Sequence, residues 1–479
     1  MPRCFPTFAT EPIPMNEPAE TLKSSTYLKL TFMMVLQFFI WGAWLPLIFG
    51  YLPSLGFSAE VPPKPFDTML PAKIAWLFSE QALILNAFPF AAIVGMFFSN
   101  QFADRNFAAE RFLGFSHLVA GLAILSLGWV TQFWPFFLLM LMHCLLYVPT
   151  ISITNSIAFA HMKDAKNEFG LVRMGGTIGW ILAAWPFVFI MVDWEGVRAK
   201  DPQGLVNWLG TALGTPLVGS ALKQSTRWTF VVAGAASLLL AVYSRVLPHT
   251  PPKKADESTK AGGRRERLAW LEALKLLRHP FILILWLVTL IDAFVHNCYF
   301  NWTGQFLVSA QVGIPGNWVL PVMSVGQVAE ILTMFVLGTV LTRLGWKLTL
   351  IVGVLGHAAR FATYAYFPEH PWLIVFIQLL HGVCYAFFFA TVYIFVDEYL
   401  PKDARSSAQG LFNFMILGVG ALLANAICPY LLQKVYTHEN TVDFHGLFLI
   451  PLGLALGAAA LLVLFFWPPA KEAVPEAQA

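Results

Sequence analysis

Long apolar runs dominate the chain, and short polar stretches separate them. A helix needs about 20 apolar residues to cross the hydrocarbon core of a bilayer. On that measure the pattern predicts twelve membrane helices, near 27–54, 77–101, 111–131, 134–160, 169–193 and 228–247, then 280–309, 318–342, 347–367, 371–398, 405–433 and 444–467. Several runs exceed the minimum, which leaves room for tilt. The only long, strongly charged interruption is 248–279, with Lys253, Lys254, Lys260, Arg264, Arg265, Arg267, Lys275 and Arg278. Inside it, Leu268, Leu271, Leu274 and Leu277 recur at helical spacing beside a basic face. That spacing predicts a short helix lying on the membrane surface, with a plain solvated linker as the alternative. The chain then divides into a tail (1–26), a six-helix half (27–247) with an insertion at 194–227, the linker (248–279), a second six-helix half (280–467) and a tail (468–479).

Composition sharpens this picture. Hydrophobic residues make up 57% of the 479 positions and charged residues only 12%, where a soluble domain carries about 25% charged. A net charge of +3 gives no reason to expect nucleic acid as a partner. Cys4, Cys144, Cys298, Cys384 and Cys428 are scattered and odd in number, so they read as packing residues, not disulfides or metal ligands. No cleavable signal is expected, and the first apolar run is expected to remain as a membrane helix. Basic loops set orientation. Arg105, Arg111, Lys163, Lys166, Arg343, Lys347, Lys402 and Arg405 all fall on the side of the central linker. That side is expected to be cytoplasmic, with both termini on it, in a multi-pass protein of the inner membrane. The insertion 194–227 resists the rule with Arg198, Lys200, Lys223 and Arg227, and is expected to form a small cap over the outer face.

Two six-helix halves joined by a basic linker is the layout of the major facilitator superfamily, an all-α fold whose pseudo-symmetric halves rock around a midplane site. Gly95 and Ala103-Asp104-Arg105 resemble a degraded trace of its signature between segments two and three. Against this apolar background a few polar residues stand out, because ionisable groups in a bilayer usually face a bundle interior or a watery cavity. Arg173, Thr177 and Trp180 lie at i, i+4 and i+7 on segment five, which puts a cation, a hydroxyl and an aromatic plane on one stripe. Gln327 and Glu330 share a stripe on segment eight, and Asp292 and His296 share one on segment seven, with Asn297 beside them. Gln37, Trp41 and Trp44 line segment one. Such a set suits a small polar ligand with a flat ring.

Each residue has a plainer reading. Arg173 could snorkel to the interface, Glu330 could hold a structural ion pair, Asp292 could pair with His296, and Trp41 and Trp44 could be packing or belt residues. Gly175 and Gly179 read as close helix packing. Arg360 reads as structural or interfacial. His438-Glu439 begins like a zinc-protease motif, but Val442 stands where the second His must be. Asn301-Trp302-Thr303 matches the glycosylation sequon, a pattern common by chance.

Four stretches, in order, resemble the nucleoside:proton symporters of that superfamily: Leu36 to Trp44, Arg173 to Gly179, Ser324 to Leu332, and Ala404 to Gly410. The resemblance covers most of the chain outside the N-terminal tail, the 194–227 insertion and the last residues. It implies a central nucleoside site in which Arg173, Thr177, Trp180, Gln327 and Glu330 match the family's positions. In helix seven the family's glutamine falls on Asn297 and its asparagine on Phe300. In helix ten its aspartate falls on Ala386, so either Tyr385 or Asp292 compensates, or the substrate departs from the usual nucleosides.

The expected function is proton-coupled nucleoside import by alternating access, without cofactor or metal, by a monomer in the lipid bilayer. Arg173 could meet ribose hydroxyls, Trp180 could stack on the base, and Glu330 is the first candidate for the coupling proton, with Asp292 and His296 next. Transport of a sugar or drug-like solute, and a nucleoside sensor that does not transport, are the alternatives. A membrane enzyme would need a nucleophile and base or metal ligands on facing helices, and no such set stands in the sequence.

Overall fold

In lipid, every backbone N–H and C=O must find its partner inside the protein, so apolar runs of this length become helices. The computed structural model describes residues 24–95, 107–162, 165–252, 275–399 and 410–468. Several sequence expectations lie outside these residues: the Ala103-Asp104-Arg105 trace, Lys163, Lys402, Arg405, most of the Ala404 to Gly410 stretch, and the surface helix as far as 274.

In the first half, α1 is Ser24–Ser54, α2 is the pair Glu80–Leu85 and Ala87–Val94, and α3 is Ala109–Ser126. Phe133–His161 forms α4, Ala165–Ala184 forms α5, and Arg227–Tyr243 forms α6. In the second half, α7 is Pro280–Leu307, and α8 and α9 share the run Val319–Tyr366, divided at Gly345. The tenth segment, α10, runs from Pro371–Phe376 to Thr391–Tyr399, α11 includes Gly420–Tyr430, and α12 is Phe444–Phe465.

Nine of the described helices are long and apolar enough to cross a membrane. The twelve predicted segments are reconciled with that number locally. The two parts of α2 bend by 78° and count as one span. Gly345, at φ 70°, turns the chain between α8 and α9, a conformation that glycine adopts without penalty. The third segment, α3, is shorter and opens with Glu110 and Arg111.

The two halves have separate hydrophobic cores. One gathers residues of α1 to α6, such as Phe136, Tyr147 and Phe230, and the other gathers residues of α7 to α12, such as Trp302, Phe361 and Phe448. The first core encloses a satisfied polar cluster. Gln37 Nε2 donates to Thr150 Oγ1 at 2.9 Å, and Gln37 Oε1 lies 2.9 Å from His117 Nε2. The other ring nitrogen of His117 lies 2.9 Å from Ser237 Oγ. These bonds join α1, α3, α4 and α6. Gln37 therefore belongs to the packing of the half and not to a ligand stripe shared with Trp41. Asn301 is also buried, with its amide donating to Asn297 O and Asn425 Oδ1, which removes the sequon from consideration.

Glycines set how closely the helices approach. A Cβ on Gly175 would stand 2.7 Å from Thr31 O, and one on Gly179 would collide with Val35 O, so α1 and α5 meet backbone to backbone. This is the close packing that the small-xxx-small spacing suggested.

Residues 194–227 fold mostly into three short helices, Trp194–Ala199, Leu205–Leu213 and Gly219–Ser225. They lie at the bundle end where α5 stops and α8 starts, here called the cap end. Asn317 Nδ2 donates to Val188 O at 3.2 Å and Leu213 O at 3.3 Å, and Trp318 Nε1 donates to Leu213 O at 3.1 Å. An insertion of the first half is thereby bonded to the second.

A pair of glycine substitutions tests this packing. Gly234 of α6 faces Leu125 of α3, where a new Cβ would lie 2.7 Å from Leu125 Cβ, whereas Gly457 of α12 has nothing within 4 Å. Gly234→Ala should lower the melting temperature of the purified protein, by roughly 1–3 kcal/mol of stability. Gly457→Ala should leave it unchanged or raise it, since Ala is the better helix former by about 1 kcal/mol. Equal melting temperatures for both variants would contradict the close α3–α6 contact.

Candidate functional site

A cavity of about 320 Å³ lies between the two halves, lined by α1, α2, α4 and α5 from one and α7, α8, α10 and α11 from the other. Its walls are mostly apolar and rich in aromatic rings. Trp41 stacks on Phe88 with ring centroids 4.6 Å apart and meets the edge of Trp180 at 5.3 Å. Trp180 in turn faces Phe300 of the opposite half at 6.3 Å.

The structure brings eight of the nine candidate residues to this cavity: Arg173, Thr177, Trp180, His296, Asn297, Gln327, Glu330 and Tyr385. The three on α5 share a face because they are spaced four and three apart. The guanidinium of Arg173 lies over the Phe38 ring, 4.1 Å from its centroid. Among the described residues it has no hydrogen-bond partner. Glu330 lines the opposite half, close enough for the charge of Arg173 to act on it, yet the two form no ion pair. The plain snorkelling and structural-pair readings therefore do not describe this geometry. Asn297 donates from Nδ2 to Ala293 O at 2.8 Å, one turn back on its own helix.

Among the described residues, buried polar atoms without a partner occur both at the cavity, at Trp41 Nε1, Trp44 Nε1, His296 Nδ1 and Gln327 Oε1, and away from it, as at Ser116 Oγ and His143 Nε2; the four at the cavity are the ones a ligand could reach. Buried polar groups are normally bonded, and each one left unpaired costs about 1–3 kcal/mol. All four belong to residues that line the cavity, so a bound molecule with matching donors and acceptors would complete them. Flat rings and unmatched hydrogen-bonding atoms together suit a heteroaromatic ligand that carries hydroxyls.

Asp292 is the exception. It is fully buried and does not line the cavity, and His357 of α9 stands beside it, with Nε2 3.6 Å from Oδ2. Its expected partner, His296, instead turns its ring to the cavity and stacks on His381, 5.0 Å away. Arg360 is fully buried too, so it is not interfacial.

Ala386 also stands elsewhere than expected. It packs with Leu337 and Phe387, away from the cavity, while His381, Tyr385, Phe389 and Tyr393 of α10 line it. Residues Tyr385–Ala390 form a π-helical turn. Its wider winding changes which side chains share a face, and such turns are frequent at functional sites. A second one, Phe414–Val419, sits in α11 beside Ile416 and Leu417 of the cavity wall. Sequence reasoning missed Phe38, Phe88, His381 and Phe389. The phenylalanines carried no contrast among 43 in the chain. His381 did have a signal, a histidine in an apolar run.

Direct bonds between the halves gather toward the cap end. Gln81 and Gln433 exchange amide hydrogen bonds at 2.9 and 3.1 Å, Glu60 and Lys434 pair at 2.7 Å, and Asn425 Nδ2 donates to Leu85 O at 3.0 Å. With the cap bonds to Asn317 and Trp318, they hold that end of the cavity together.

Comparison with known proteins agrees with this geometry. Residues 24–207 and 202–471 match the model of the nucleoside H+ symporter family. A candidate nucleoside transporter of Escherichia coli (strain K12), YegT, is 29% identical over 453 residues, covering 92% of this chain and 94% of YegT. The xanthosine permease of the same organism is 24% identical over 463 residues, 92% of this chain and 96% of the permease. Among solved structures, the nucleoside transporter NupG superposes with a TM-score of 0.71 at 21% identity, covering 93% of this chain and 100% of NupG. A D-xylose-proton symporter superposes at 0.62 with 15% identity, 92% of this chain and 98% of that one. The fold is that of the major facilitator superfamily.

If the unpartnered atoms meet a ligand, removing their side chains weakens binding without unfolding the protein. Arg173→Ala and Gln327→Ala should each lower affinity for a bound nucleoside by about 5- to 150-fold, the equivalent of 1–3 kcal/mol. Calorimetry on monodisperse protein measures this. Unchanged affinity in both variants would make these side chains structural.

Proposed function

This chain belongs to the nucleoside H+ symporter family, and from its site we propose how it carries out proton-coupled nucleoside import. The observation that carries the reading is the central cavity, whose ring-lined walls hold unpartnered polar atoms from both halves. Trp180 and Trp41 offer faces for the base. Arg173, Thr177, Asn297, Gln327 and Tyr385 offer donors and acceptors for base edges and ribose hydroxyls.

Glu330 is the residue through which proton and solute are linked. A carboxyl in an apolar wall carries its charge at a cost. Arg173 stands across the cavity from it in the other half, so the Coulomb energy between them changes whenever the halves rock. A nucleoside placed between them alters the same energy. Proton occupancy, ligand occupancy and the position of the halves therefore depend on one another, which is what coupling requires. With the basic loops on the cytoplasmic side, the cap end faces outward and the bonded arrangement is closed to the outside. The termini lie on the cytoplasmic side of the inner membrane, and the protein acts as a monomer with no cofactor beyond the proton gradient.

Thermal shift on the purified protein tests the substrate class. Uridine or adenosine should stabilise it more than the free base, ribose or glucose. Equal shifts for glucose and both nucleosides would overturn the assignment and favour a sugar-type solute.

Glu330→Gln tests the coupling. The amide keeps the shape but holds no exchangeable acid proton. In proteoliposomes the variant should lose nucleoside accumulation driven by a proton gradient, relative to its own rate of nucleoside exchange. Accumulation equal to that of the native protein would remove Glu330 as a proton carrier.

A further inference from the structure

Behind the cavity wall of the second half lies a buried charged cluster to which the site described so far gives no role. Arg360 of α9 is fully buried with no carboxylate in contact. Its Nη2 lies 2.9 Å from His357 Nδ1, and its Nη1 lies 3.0 Å from His381 Nδ1. Its guanidinium sits 4.2 Å from the centroid of the Tyr299 ring. Arginine has only donors, so both histidines must accept at Nδ1 and carry their hydrogen on Nε2. Both rings are therefore neutral here, with their tautomers set by the arginine.

Asp292 is the contrast. Among the described residues neither of its oxygens has a hydrogen-bond partner, and His357 Nε2 stands 3.6 Å from Oδ2. The cation of the cluster is met by two ring nitrogens and an aromatic face, with only its Nε left unpartnered, while the carboxyl has no hydrogen bond among the described residues. An ionised carboxylate in that condition is far more costly than a neutral acid. The groups facing the cluster are few. Helix α7 brings Asp292, His296 and Tyr299, α9 brings His357, Arg360 and Tyr364, and α10 brings His381 and Cys384. Helix α8 packs on His381 through Gly326 and on Gly382 at Glu330, which adds one carboxyl. Helix α11 packs on Ala293 through Gly420 and has no titratable residue there.

We propose that Asp292 is a second proton-carrying carboxyl, and that Arg360 is the cation that meets its charge when the proton leaves. This rests on the symport reading. In the arrangement seen here Asp292 holds a proton, and the cluster of Asp292, Arg360 and neutral histidines has a net charge of +1. On release the O–H bond of Asp292 breaks and the proton passes to cavity water by way of the histidine Nδ1 atoms that Arg360 vacates as it turns, His381 and the neighbouring His296 lining the cavity. Arg360 turns from its ring acceptors to the new carboxylate, and the net charge falls to zero. No other bond changes. Each histidine is then free to accept from another donor, so the proton state of Asp292 is communicated to the wall that touches the nucleoside.

Infrared difference spectroscopy between acidic and alkaline buffer tests the proton directly on the purified full-length protein, with no substrate present. The native protein should show a protonated-carboxyl C=O band that shifts on labelling with carbonyl-13C aspartate and is absent in Asp292→Asn. Asp292 is the one buried aspartate among the described side chains, so the labelled native protein answers even where the variant does not fold. No aspartate band outside the range of exposed carboxyls would overturn the proposal.

Transport supplies the second arm, with uridine and adenosine in proteoliposomes. Loss of one coupled proton lowers the limiting accumulation by about 50-fold per 100 mV of driving potential, so Asp292→Asn should fall by that factor while Glu330→Gln keeps the aspartate band. A merely structural Asp292 would lower the melting temperature of the variant and leave accumulation intact, which would also overturn the proposal. If the native protein moves neither nucleoside yet shows the band, the proton site stands and the substrate reading fails.

Discussion

A polar group removed from water must find a partner inside the protein, and the arrangement of this molecule follows from where that demand is met. In the first half one cluster meets it by packing. Gln37, His117, Thr150 and Ser237 satisfy one another across four helices. At the interface between the halves it is left open, at Gln327, His296 and two tryptophan N–H groups. Unpartnered groups on the wall of a cavity large enough for a small molecule are the ground for proposing that cavity as the binding site.

The same demand separates residues of similar appearance. Gln37 and Gln327 are both glutamines in apolar helices, and one is structural while the other faces the ligand space. Asp292 and Glu330 are both carboxyls in apolar helices, but one sits beside His357, behind the cavity wall, and the other across a cleft from Arg173. The paired glycines of α5 belong to this logic too. Because Gly175 and Gly179 bring α1 against α5, Trp41 and Trp180 reach each other and form a continuous ring surface beside Arg173.

Much of this was legible in the chain. Membrane segments announce themselves by length and apolarity, and Arg173, Gln327 and Glu330 stood out because charge and amide are rare there. The breaks were less legible. Gly345 turns α8 into α9 by a backbone conformation that no hydrophobic pattern records. The winding of α10 at Tyr385–Ala390 leaves Ala386 off the cavity face, where the family resemblance had placed it. The partners of Asp292 were hidden for a different reason. His357, Arg360 and His381 lie on helices far along the chain, and spacing within one helix says nothing about which neighbour it faces.

The insertion between α5 and α6 has a consequence for timing. Its two bonds, from Asn317 and Trp318 to Leu213 O, tie the first half to the second, so any motion that opens the cap end must break them first. At about 1 kcal/mol for each hydrogen bond, two such bonds shift the balance between closed and open forms by roughly thirtyfold. A loop that touches no ligand would then govern dwell time, and two transporters with the same cavity but different insertions would differ in turnover while sharing their selectivity.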